Sequence, residues 1–127
     1  MAAVVVDTHA INWYLTNDSR LSKVAGTALD AATAGGDPIY VPSVCLVEIT
    51  YLVEKGRLPA NTRQILISAL DGLDDPFALK PLDRAVADAL QLVPRVEVPD
   101  LPDRIIAATA LALNLALVSR DGRIRAS

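Results

Sequence analysis

Short apolar runs alternate with helix-periodic stretches from one end of the chain to the other, and this alternation most restricts the fold. Ala3–Val6 is a β-branched run halted by Asp7, and Ile39–Val41 is closed by Pro42. Phe77–Leu82 is limited by Pro81, and Ala116–Ser119 is the last strand expected. Continuous apolar strands, as opposed to half-polar ones, belong to sheets buried on both faces. Between them lie helical stretches at Thr8–Leu15 and Leu21–Thr33, one with Ser43 as its N-cap running through Lys55, one capped by Asn61 and reaching Leu73, one from Asp83 to before Pro94, and one from Pro102 to about Asn114. Strands joined through helices need crossover connections and therefore a parallel sheet. The sequence predicts an α/β protein, a three-layer α/β/α sandwich around a central parallel sheet, with residues 1–127 as one domain.

Composition narrows the function classes. A chain of 127 residues has room for one core, and 52% hydrophobic residues argue against disorder. An aromatic content of 4% argues against RNA binding on extended aromatic platforms. The single cysteine, Cys45, rules out an internal disulfide framework and a Cys-rich zinc site, and suits a reducing cytosol. Ile105–Val118 is the longest apolar run, at 14 residues, whereas a spanning helix needs roughly 20. No membrane association is expected, and the expected location is cytoplasmic. Asp7-Thr8-His9 contains no glycine where a nucleotide-binding loop would need one, so no nucleotide cofactor is expected.

The informative residues are acids in unusual places. Ligands bind parallel sheets at the carboxyl ends of strands, where Asp7 and Asp121 fall. An acid between strand and helix is also a common N-cap, so Asp7 alone reads equally both ways. Glu48 is flanked at helical spacing by Val44, Cys45, Tyr51 and Leu52, which places a carboxylate within an apolar stripe. Asp103 opens a helix with Ile106, Ala107 and Ala110 on its side, and so is expected to face the core. Two such carboxylates ~5 Å apart repel by roughly 3 kcal/mol at an effective dielectric near 20. A divalent cation relieves that repulsion at neutral pH, and all-oxygen ligands select magnesium or manganese. Such a site supports hydrolysis of phosphodiesters.

Val5-Val6-Asp7-Thr8, Val47-Glu48-Ile49, Asp103-Arg-Ile-Ile-Ala-Ala-Thr-Ala110 and Leu117-Val-Ser-Arg-Asp121, in this order, resemble the PIN-domain ribonucleases. In size and order the chain looks most like the VapC toxins of type II toxin–antitoxin pairs. The resemblance implies a ribonuclease with Asp7, Glu48, Asp103 and Asp121 as catalytic ligands of Mg²⁺ or Mn²⁺. It also implies RNA as substrate, a homodimer, and a small VapB-like antitoxin whose C-terminal segment occludes the site.

Asp100, three residues before Asp103, is a candidate fifth acid. Thr8 and Ser119 flank the expected ligands and are candidates to hold water or backbone. Arg104, Arg120 and Arg123 are candidate contacts to RNA phosphates. His9, the single histidine, is a lesser candidate base, while Trp13 and Cys45 sit at positions expected to pack the core. A haloacid-dehalogenase-like phosphatase, the alternative from another class, needs a second Asp where His9 stands. A housekeeping PIN nuclease acting in RNA maturation is the alternative within the class. The 15 acids exceed the 12 bases, yet without the four expected ligands the bases are in slight excess. The net acidity therefore does not argue against an RNA substrate.

Overall fold

The computed structural model describes residues 3–120 and 122–124. In chain order the elements are β1 (Val4–Val6), α1 (Thr8–Leu15), α2 (Lys23–Ala34), β2 (Ile39–Pro42), α3 (Ser43–Glu54), α4 (Thr62–Asp71) and β3 (Phe77–Lys80). These are followed by α5 (Arg84–Ala89), a 3₁₀ turn at Leu90–Leu92, α6 (Leu101–Leu113), β4 (Ala116–Ser119) and β5 (Gly122–Ile124). The strands form one sheet in the order β3-β2-β1-β4-β5. The first four are parallel, with Val4 opposite both Ile39 and Ala116, and β5 runs antiparallel to β4.

Val4, Val5 and Val6 are all 1% exposed or less. Successive strand residues point to opposite faces, so both faces of the sheet are covered at β1. Ile11, Leu29, Ile39, Val41, Ile49, Leu66, Ile106 and Val118 join Val4 and Val6 in one core. A smaller cluster of Val86, Ala89, Val93 and Ala108 lies where α5 and α6 meet. Ile106, 1% exposed on α6, belongs to the main core. Ile106→Ala should therefore cost about 2–5 kcal/mol in chemical denaturation, through lost burial and the cavity left behind.

The chain winds outward from β1 through β2 to β3, then returns through α5 and α6 to β4 on the other side of β1. The carboxyl ends of β1 and β4 thus flank a topological switch point, where crevices form in such sheets. Helix starts are set by side chains. Ser22, Asp83 and Asp100 each accept the backbone N–H three residues on, from Ala25, Val86 and Asp103. Asn114 ends α6 in the left-handed region at φ 56°, a conformation Asn tolerates because its short amide bonds locally.

Four expectations are corrected. Ala116–Ser119 is not the last strand, because the chain turns back immediately into β5, an antiparallel edge on the parallel sheet. β3 stops at Lys80 because Pro81 has no N–H for the ladder, and the Leu82 N–H goes to the Ser43 hydroxyl at 3.1 Å. Ser43 is consequently the first residue of α3, with Pro42 in the cap position. Trp13 is only partly buried and lies outside the core, whereas Cys45 is fully buried within it. No helix among the described residues is long and apolar enough to cross a membrane.

Candidate active site

A cleft of about 330 Å³ opens at the switch point. Ile106 and Leu117 line it with apolar surface, and Asp7, Glu48, Asp100 and Asp103 line it with carboxylates. Three separate parts of the sequence supply those acids.

Asp7 follows β1, and its N–H bonds to the Val118 carbonyl at 3.1 Å, extending the ladder to β4 by one residue. Its carboxylate accepts the Ala10 N–H at 2.8 Å and caps α1. Asp7 is thus both a helix cap and a wall of the cleft. Burial raises its carboxyl above the usual value, and Asp103 adds to this, while the Ala10 N–H, His9 and the Arg120 backbone oppose it.

Glu48 lies in the middle of α3, and its Oε1 accepts the Thr8 hydroxyl at 2.5 Å. Thr8 is 6% exposed, so its hydroxyl fixes the orientation of the glutamate across the α1–α3 contact. Burial raises the Glu48 carboxyl, Thr8 opposes this, and Asp103 and Asp100 raise it further. The stripe around Glu48 is only partly enclosed, since Cys45 is buried but Tyr51 is exposed.

Asp103 does not face the core as expected. It is exposed at the mouth of the cleft, and Ile106 one turn later reaches inward. Helical side chains lean toward the helix N-terminus, so a residue in the first turn overhangs the end of α6. Its carboxyl is nevertheless raised, first by burial and then by the Asp100 charge. Asp100 lines the same cleft and caps α6 through the Asp103 N–H at 3.3 Å.

Arg120 and Ser119 also line the cleft, and the Ser119 hydroxyl donates to the Gly122 carbonyl at 3.5 Å. Arg104 is not available for RNA phosphates in the way expected. Its guanidinium donates to the Val93 carbonyl at 3.0 and 3.2 Å and to the Leu90 carbonyl at 3.1 Å, pinning the segment after the 3₁₀ turn. Arg104→Leu should strand those acceptors and destabilise the fold by about 1–3 kcal/mol. Denaturant titration would show the loss, with nuclease chemistry retained under conditions where the variant stays folded. Asp121 and the side chain of Arg123 lie outside the described residues. His9, which the sequence ranked low, lines the cleft beside Asp7. Its position two residues after the strand-end acid was the signal.

Among the described residues no group of three or more His, Cys, Asp or Glu side chains is gathered closely enough to hold a metal ion. The donor chemistry still fits a hard divalent cation. The candidate ligands are all oxygen, the carboxyls of Asp7, Glu48 and Asp103 are raised toward protonation, and none forms an ion pair among the described residues. The charges of His9 and Arg120 offset the burial and mutual repulsion of these carboxylates only in part, which leaves them suited to a cation.

A parallel sheet with an acid-lined crevice at its switch point defines the class, and the chain belongs to the PIN-domain family, whose model matches residues 4–126. This membership sets aside the haloacid-dehalogenase-like alternative. Ribonuclease VapC22 of Mycobacterium tuberculosis is 28% identical over 125 residues, covering 98% of this chain and 92% of the relative. The crystal structure of VapBC2 from Rickettsia felis bound to a DNA fragment from their promoter shares the fold. Its TM-score is 0.65 at 16% identity, over 91% of this chain and 85% of that one.

Proposed function

We propose that the protein is an Mg²⁺- or Mn²⁺-dependent endoribonuclease and the toxin of a type II toxin–antitoxin pair. The observation that carries this reading is the meeting of Asp7, Glu48 and Asp103, from β1, α3 and α6, in one cleft at the switch point. The ribonuclease relative and the VapBC structural neighbour support it.

Asp7, Glu48 and Asp103 would hold the cation, with Asp121 as a fourth ligand and Asp100 beside them. When bound, such a cation activates water and neutralises charge developing on the phosphoryl oxygens. Thr8 keeps the Glu48 carboxylate oriented through its hydroxyl. Arg120, on the rim of the cleft, meets a phosphate of the RNA by charge and by its planar N–H donors. Ser119 anchors the turn that presents Arg120. The same reading assigns a VapB-like antitoxin whose C-terminal segment occludes the cleft, a homodimer, and a cytoplasmic location.

Expression in a bacterial host tests the toxin reading. Induction of the wild-type chain should arrest growth and fragment cellular RNA, co-expression of the adjacent small reading frame should relieve the arrest, and Asp7→Asn should be harmless. Normal growth with intact RNA at high expression would overturn the toxin assignment. RNA cleavage by the purified protein without growth arrest would favour the housekeeping nuclease.

A further inference from the structure

Beside the acid cleft, α1 and the segment after it carry a row of planar groups that metal chemistry leaves unused. His9 and Trp13 are one helical turn apart, with ring centroids 5.4 Å apart and planes tilted by 37°. The Arg20 guanidinium lies 4.8 Å from the centroid of the Trp13 ring. His9 lines the acid cleft, and Trp13 lines a separate hollow between α1 and the start of α2. The row therefore leads from the expected point of phosphodiester attack out along the protein surface.

Asp18 orients Arg20. It accepts Nε at 3.1 Å and Nη2 at 2.8 Å, and the Arg20 side chain is 68% exposed. A guanidinium has five N–H donors, so the ones Asp18 leaves over face solvent on a rigidly held group. Trp13 is partly buried and outside the core, so packing alone does not account for a tryptophan here. Aromatic rings hold RNA bases by stacking, and arginine holds phosphates.

We propose that His9, Trp13 and Arg20 form a nucleotide-positioning row for the single-stranded RNA flanking the cleaved phosphate. The inference rests on the ribonuclease reading. His9 and Trp13 take bases by stacking, and Arg20 takes a backbone phosphate while bracing the indole. This is a platform for one or two nucleotides, consistent with the low aromatic content, and its residues are positioning residues.

Trp13 is the single tryptophan of the chain, so its fluorescence reports on the row directly. A short single-stranded oligoribonucleotide is titrated into the wild-type protein in chelator, with retention of labelled RNA on a filter as an independent measure of binding. The row predicts saturable quenching of indole emission with the same midpoint as filter retention. Arg20→Gln, which alters an exposed side chain, should weaken binding roughly tenfold, and His9→Ala should do the same. In cleavage assays with metal, Arg20→Gln should raise KM with kcat little changed and thermal stability shifted only slightly, since its ion pair with Asp18 is exposed, which a merely structural role would not produce. RNA retained on the filter with unchanged indole emission would overturn the row and leave the ribonuclease reading intact. Quenching by the antitoxin but not by RNA would also overturn it, in favour of a protein-docking role. Failure both to bind and to cleave RNA would remove the row together with the ribonuclease reading.

Discussion

Asp103→Asn should abolish RNA cleavage while leaving a folded and slightly more stable protein. A metal ligand contributes several kcal/mol of charge stabilisation in the transition state, so the expected loss is on the order of 10³-fold in kcat. The Asp103 backbone remains capped by Asp100, and amide replaces carboxylate without loss of volume. The Asp103 charge raises the carboxyls of both Asp7 and Glu48, so its removal relieves repulsion in the metal-free cleft. The melting temperature without metal should rise by roughly 2 °C, the scale of a fraction of a kcal/mol for a domain of this size. Loss of activity together with a stability gain separates a ligand from a structural acid, whose removal would lower both. Stability conceded at a site for the sake of function is a familiar trade.

Magnesium or manganese should raise the melting temperature of the wild type strongly at neutral pH. A ligand at about 100 times its dissociation constant adds roughly 2.7 kcal/mol, which corresponds to about 10 °C here. The sign of the pH dependence follows from the raised carboxyls of Asp7, Glu48 and Asp103. Groups whose folded pKa lies above the unfolded value bind more protons in the native state, so stability falls as pH rises through that window. The metal-free protein should therefore gain stability from these three groups as pH drops from neutral into the acidic carboxylate range. The metal-induced shift should shrink over the same range as protons displace the cation. Differential scanning fluorimetry between pH 7 and the acid range, with chelator and with added metal, reads both trends. Asp103→Asn should lose most of the metal-induced shift.

The sequence carried the layered fold well because the four parallel strands are short, mainly apolar runs and α1, α2, α5 and α6 each start at a capping side chain. It carried Asp7, Glu48 and Asp103 because a carboxylate at a strand end or among apolar helix neighbours breaks the local pattern. The direction of Asp103 was not legible. Periodicity assigns a residue to a face but ignores the tilt of side chains toward the helix N-terminus, which matters only in the first turn. Arg104 was misread because its carbonyl partners lie 11 and 14 residues away, a tertiary contact that no charge pattern marks. Trp13 was misread because α1 has only 8 residues, too few for its faces to be told apart. β5 was missed because three residues after a turn give no period at all.

The central claim is that a divalent cation held by these acids is required for RNA hydrolysis. Its most direct test is single-turnover cleavage of a labelled structured RNA, first after chelation of all metal and then with Mg²⁺ or Mn²⁺ restored. No product should form in chelator, and restoring metal should recover full cleavage by the wild type but not by Asp103→Asn. Undiminished cleavage in chelator, or full activity of Asp103→Asn, would contradict the metal mechanism.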